Sequence, residues 1–192
     1  PKHRYNIKLA QKKGVEVREA LDLDDLDVFY NLILQTAQRQ NFFIHPYDYY
    51  RKMWEILGSE GFAKIFIASF QGKDLASWMF FIYDGVIYYP YGGSLLQDKD
   101  LHASNLLGWE GILLGKKMGC QVFDMWGACS NVNDTSDPYW GFSNFKQKFG
   151  ARHVQYIPSQ DLVLDPVGYK AFNVANRVRW AVLNFKRGSG GF

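Results

Sequence analysis

The chain has 192 residues, a formal net charge of +3 at pH 7, 47% hydrophobic residues and 21% charged residues. That length suits one globular domain with a substantial core, and so mild a charge names no partner by itself. No run of about eighteen apolar residues occurs, which argues against a membrane span. The opening KHRYNIKLAQKK reads as a short amphipathic helix stopped by Gly14, and VEVREA then alternates as a strand does. Asp22, with Asp25 three positions on, starts the helix DDLDVFYNLILQTAQRQ, the acids lying at its positive end. HPYDYYRKMWEILG is a second helix, with Pro46 in its first turn and Gly58 at its exit. Three strands follow, AKIFIASFQGK, DLASWMFFIY and VIYYPYGGS, turned at Gly72 and at the Asp84-Gly85 pair. LLGWEGILLGKKMG is a helix whose Gly108, Gly111 and Gly115 would let it lie close against a sheet. CQVFDMWGA is a strand, FSNFKQKFG a short helix, RHVQYIPSQDLVL a strand or strand pair, and PVGYKAFNVANRVRWAVLNFK a long closing helix. The tail GSGGF, residues 188–192, reads as a disordered end.

The order β-α-α-β-β-β-α-β-α-β-α describes an α/β fold, a mixed sheet with helices on both faces, and its central strand-helix-strand crossover implies a parallel pair. The N-acyltransferase fold of the GNAT type has this order. Order alone does not specify an activity.

Several chemistries are disfavoured by what the chain lacks. His3, His45, His102 and His153 are scattered, none four residues from another, so no metal site is expected. There is no nucleophile elbow, no phosphate-binding GxxxxGK[ST] loop and no GxGxxG fingerprint. Cys120 and Cys129 make neither a disulfide framework nor a zinc pattern, and read as reduced thiols of a cytoplasmic protein. The basic start lacks the apolar region of a secretory signal. Acetyl-coenzyme A chemistry on a GNAT fold needs a loop near Q/R-x-x-G-x-G/A whose bare amides cradle the pyrophosphate. The matching junction here is YGGSLLQDKDLHASNLLGW, without that pattern.

Positive signals are few. GFSNFKQKFG sets Phe142, Phe145 and Phe149 at helical spacing around Lys146, beside a loop rich in Asn, Asp and Trp. The stripe is ordinary core, whereas Lys146 is either a solvated charge or a working one. Asp124, at the end of an apolar strand, is either a site residue or a hydrogen-bonded structural acid. Basic residues crowd both ends, including Lys170, Arg177, Arg179, Lys186 and Arg187; they suit a polyanion or are solvated helix faces. The aromatic content, 17%, suits sugar, base or peptide ligands and equally fills cores.

The blocks RYNIKLAQKKGVEV, TAQRQNF, YYPYGGS, LLGWEGILLGKKMGCQVFDMWG and GFSNFKQKFG, in this order, resemble the Fem family of peptidoglycan-bridge aminoacyltransferases. The resemblance covers nearly the whole chain and matches the second of that family's two GNAT-like domains. It implies residues 1–14 as the tail of a preceding domain or a linker helix, and 15–187 as one GNAT-like domain. The implied reaction moves an amino acid from aminoacyl-tRNA to a free amine on the stem peptide of a UDP-linked or lipid-linked muropeptide precursor. No cofactor is implied; the aminoacyl-tRNA is a co-substrate, an N-terminal GNAT-like domain is a partner, and the site of action is the cytoplasm or the inner face of the membrane. Lys146 matches the lysine of the family's Phe-Lys pair, with Phe145 as the Phe, and would stabilise charge at the transferring ester. Arg39 matches an arginine that meets the precursor diphosphate. Either Tyr89 or Tyr91 matches a tyrosine that hydrogen-bonds the precursor, and Gly92 and Gly93 would allow close approach of the backbone. Trp140 and Tyr139 would border the tRNA end or pack. Two rival readings stand beside this one: an acyl-CoA-dependent N-acetyltransferase, and a half-domain that binds a precursor or partner without chemistry.

Overall fold

The computed structural model describes residues 2–97 and 99–188, with side chains through Phe185. Its packing separates two units, Pro1–His153 and Val154–Phe192.

In the first unit, α1 (Lys2–Lys13) leads to β1 (Glu16–Glu19), α2 (Leu23–Gln40) and α3 (Tyr47–Ser59). The strands β2 (Ala63–Phe70), β3 (Lys73–Tyr83) and β4 (Val86–Ser94) follow, then α4 (Ala103–Lys117), β5 (Val122–Asp124) and α5 (Trp140–Gln147). The sheet order is β1-β2-β3-β4-β5. The first four strands pair antiparallel, and β5 joins β4 in parallel across the α4 crossover, as the element order implied.

Turn chemistry explains the hairpins. Gln71 and Gly72 (φ 51° and 78°) and Asp84 and Gly85 (φ 48° and 71°) are left-handed pairs, the two-residue turns whose twist matches that of the strands they join. At the start of α2, Asp22 accepts from Asp25 N (3.0 Å) while the Asp25 carboxylate accepts from Leu21 N (2.9 Å), a reciprocal cap. Asp22→Ala should therefore cost about 1 kcal/mol, read as a lower urea midpoint at unchanged slope.

Alternation along the strands builds two cores. Phe66, Ala68, Trp78, Phe80 and Ile87 face α1 and α4, while Ile65, Ile67 and Met79 face α2 and α3. Strand β3 is buried on both faces, which is why it reads as an unbroken apolar run. Gly111 and Gly115 of α4 serve the close approach to the sheet expected of all three α4 glycines, whereas Gly108 faces Phe149, beyond α5. A Cβ at Gly111 would lie 2.6 Å from Phe80, and one at Gly115 would lie 2.8 Å from Ile87.

Several boundaries differ from expectation. Pro46 is the residue before α3 rather than part of its first turn, and Gly58 lies inside the helix against Trp54. The chain leaves α3 at Gly61 (φ 77°), where Phe62 N reaches back to Leu57 O. Helix α4 begins three residues before the apolar run, because left-handed His102 (φ 56°) starts it. Strand β5 has three residues, not nine, since the Asp124 carboxylate takes Trp126 N (2.7 Å) and Trp126 turns left-handed (φ 64°).

The second unit holds α6 (Pro166–Gly188), entered through Asp165, whose carboxylate accepts from Val167 N (3.0 Å). The expected strand over 152–164 is not formed. Its apolar residues Tyr156, Ile157, Leu162 and Leu164 are exposed, and without a ladder an alternating sequence has nothing to make it a strand. The last four residues of the GSGGF tail lie outside the described residues. No helix among the described residues is long and apolar enough to cross a membrane.

Candidate active site

The site originates in an irregularity of β4. Met79 pairs with Tyr91 and Phe81 with Tyr88, so Tyr89 and Pro90 together oppose Phe80. This is a bulge, and a proline there leaves no ladder donor missing. One extra residue reverses the facing of all that follows. Tyr89 therefore packs with the α1–α4 core and Tyr91 with the α2–α3 core. The parallel pairing of β4 with β5 stops at Tyr88 and Asp124, immediately before the bulge, so the two strands part at Tyr89.

Lys146 occupies that parting. Its Nζ donates to Gly127 O (2.7 Å) and lies 4.7 Å from the centre of the Phe142 ring and 5.9 Å from that of Tyr89. Burial lowers its pKa from 10.5 to about 8, and the charge of Asp124 opposes that shift only in part. An ammonium has three donors, so two remain for an incoming anion. Tyr89 is stacked on Trp78 (3.7 Å between centroids, 15°), and burial raises its pKa. Gly92 completes the arrangement, because a Cβ there would meet the Tyr89 hydroxyl at 2.4 Å and Trp78 at 2.9 Å.

The lysine is carried by α5, which is fixed from several directions. Ser143, 2% exposed, accepts from Cys129 N (2.8 Å) and donates to Tyr139 O (2.9 Å). Trp140 Nε1 donates to Val132 O (3.1 Å), so Trp140 has a packing role in binding the preceding loop. Phe145 and Phe149 pack into the core, whereas Phe142 stays at the surface beside exposed Tyr139.

The remaining expected residues lie on the other face of the sheet. Tyr91 packs edge-on against buried Tyr50 (5.2 Å), and its hydroxyl is 3.5 Å from that of Tyr49. Burial, and then Tyr49, raise its pKa. The space beside Gly93 is filled by α2 backbone, with Leu32 C 2.3 Å and Ile33 N 2.4 Å from where a Cβ would be. Thr36 Oγ1 accepts from Ser94 N (2.9 Å), and Arg39 Nη1 donates to Ser94 O (3.0 Å). Arg39 borders an open cleft of about 360 Å³ with Gln35, Gln38, Leu95, Leu96 and Gln97.

Lys146, Phe145, Tyr89 and Gly92 thus come together, while Arg39, Tyr91 and Gly93 lie on the opposite face of the sheet, each with different neighbours. Sequence reasoning did not single out Trp78 or Gly127, the one supporting Tyr89 and the other holding the ammonium. Only Pro90, a proline inside a strand, signalled the bulge that sorts the two tyrosines.

The FemAB family profile matches residues 1–75 and 60–177. A UDP-N-acetylmuramoylpentapeptide-lysine N(6)-alanyltransferase of Weissella viridescens is 27% identical over 168 residues, 88% of this chain and 48% of that protein. The crystal structure of FemX superposes with a TM-score of 0.71 at 16% identity, over 78% of this chain and 53% of that one. A predicted acetyltransferase from Clostridium acetobutylicum, solved with acetyl-CoA, gives 0.58 at 10% identity over 79% and 99%. The fold is therefore GNAT-like, and the chain spans about half the length of the alanyltransferase and of FemX. With the profile matching along most of its length, the chain belongs to the FemAB family.

Proposed function

We propose that the chain is the C-terminal GNAT-like half of an aminoacyltransferase. It would move an amino acid from aminoacyl-tRNA to a free amine of a muropeptide stem, in the cytoplasm, with an N-terminal GNAT-like domain completing the acceptor site. The observation that carries this reading is a half-buried ammonium at the β4–β5 parting of a FemAB-family chain.

The ester of aminoacyl-tRNA is already activated, so neither nucleotide hydrolysis nor a covalent enzyme intermediate is required. The acceptor amine attacks the ester carbonyl, a C–N bond forms, the C–O bond to the ribose breaks, and the amine's proton ends on the ribose oxygen. Lys146 would offer its two free N–H groups to the oxyanion of the tetrahedral intermediate. Its partial burial strengthens that interaction by excluding water. Arg39, with its planar fork of donors at the open cleft, would take the precursor diphosphate. Tyr91, on the same face of the sheet as Arg39, would hydrogen-bond the precursor, and Tyr89 would hold the lysine's wall. Whether the acceptor is nucleotide- or lipid-linked decides whether the enzyme works at the inner face of the membrane.

Donor identity separates this reading from an acyl-CoA enzyme. A stable aminoacyl-tRNA mimic is expected to bind with an affinity that falls steeply with salt, as phosphate contacts require. Reversing Lys170, Arg177 and Arg179 to Glu should weaken that binding and flatten its salt dependence. Binding of acetyl-CoA with no tRNA binding would overturn the proposal.

A further inference from the structure

His3 lies 142 residues from Phe145 in sequence, yet its Nε2 is 3.0 Å from the Phe145 carbonyl oxygen. A carbonyl only accepts, so Nε2 carries the hydrogen and Nδ1 is bare. The ring is 6% exposed and is wedged against Phe145 (4.9 Å) and Phe149 (4.5 Å). Its Nδ1 is buried with no partner among the described residues.

That carbonyl belongs to the last turn of α5, where oxygens run out of helical donors. Lys148 N donates to Asn144 O (3.2 Å), Phe149 N to Lys146 O (3.0 Å) and Gly150 N to Gln147 O (2.8 Å). Phe145 O is served from α1 instead, and the residue after it is Lys146. We propose that His3 is a positioning residue for Lys146: as a neutral imidazole it caps the carbonyl beside the lysine and fixes the turn that aims the ammonium at the β4–β5 parting.

The same geometry makes the clamp sensitive to acid. Protonation would place a second N–H at Nδ1, where no acceptor lies among the described residues, in a buried position near Lys148 and His102. Burial lowers the His3 pKa below its ordinary 6.5, the hydrogen bond to Phe145 O opposes that shift, and Lys148 and His102 add to it. Because the folded-state pKa is depressed, the neutral form is the one that folding favours. The clamp is at full strength above about pH 6.5 and is lost as pH falls below it.

The proposal deepens the assigned role of Lys146 and is tested without any substrate, so its failure and that of the transfer reading are distinguishable. The ¹³Cε resonance of Lys146, assigned by its loss in Lys146→Arg, is titrated in the whole chain and in two variants. His3→Phe keeps a ring but has no donor; its Lys146 pKa is expected to rise from the native value toward 10.5, the ordinary value for lysine. His3→Gln keeps an N–H at similar reach and should restore the native value. The native chain should also show a small acid step in the Lys146 signal that His3→Gln lacks. A folded His3→Phe with the native lysine titration would reduce His3 to packing and overturn the proposal. If His3→Phe does not fold, the acid step decides: its loss in His3→Gln supports the clamp, and its persistence or its absence from the native chain refutes it.

Discussion

Replacing Lys146 by methionine should slow aminoacyl transfer by roughly 10²–10³-fold, the effect of removing one donor from an oxyanion site. Methionine retains an unbranched apolar stem and puts its own end near Phe142, over which the lysine ammonium lies, so folding and precursor affinity should stay near native. Loss of turnover with binding intact would identify an interaction made in the transition state alone. The pH profile adds a second check. Lys146 loses its charge near pH 8, so the rate should fall as pH rises through that value. Lys146→Arg, which cannot lose its proton in this range, should remove the descending limb. A Lys146→Met enzyme with full turnover would end the catalytic role.

The second large effect is on stability. Gly93→Ala places a Cβ 2.3 Å from Leu32 C and 2.4 Å from both Ile33 N and Leu32 O. These are backbone atoms of α2, which cannot swing aside as a side chain does. Helix α2 must lift from β4, loosening the Thr36–Ser94 and Arg39–Ser94 bonds with it. A cost of about 3 kcal/mol is expected, the upper range for overpacking, seen as a lowered urea midpoint at constant slope. The nearest atoms that Gly92→Ala meets are in the Tyr89 and Trp78 side chains. It should cost less stability, and it should act on transfer by displacing Tyr89 from the lysine. Equal stabilities for the two variants would contradict this account of the sheet.

Much of the fold was legible because its signals are local. Asp84-Gly85 prescribes its own turn, Asp22 and Asp25 cap each other within one helical turn, and the spacing of Phe142, Phe145 and Phe149 describes a helix without reference to anything distant. The site was less legible, because it depends on register and on contacts across long separations. Tyr89 and Tyr91 look equivalent in sequence until the bulge at Pro90 sends them to opposite faces. Lys146 finds its acceptor at Gly127, nineteen residues away, where left-handed Trp126 has ended a strand that the apolar pattern would have continued. The strand expected over 152–164 failed for a related reason: alternation supplies a face, but a strand also needs an edge to pair with. The family blocks matched Phe145 and Lys146 as a pair; they did not indicate that His3 holds Phe145 from the first turn of the chain.

Mass spectrometry of the acceptor reports whether an amino acid has been transferred. A nucleotide-linked muropeptide is incubated with the chain, mixed aminoacyl-tRNAs and acetyl-CoA together, with Lys146→Met in parallel. The native reaction should yield a product heavier by one amino-acid residue, nearly absent with Lys146→Met. A product heavier by an acetyl group would contradict aminoacyl transfer, and would make this FemAB-family chain an acetyltransferase.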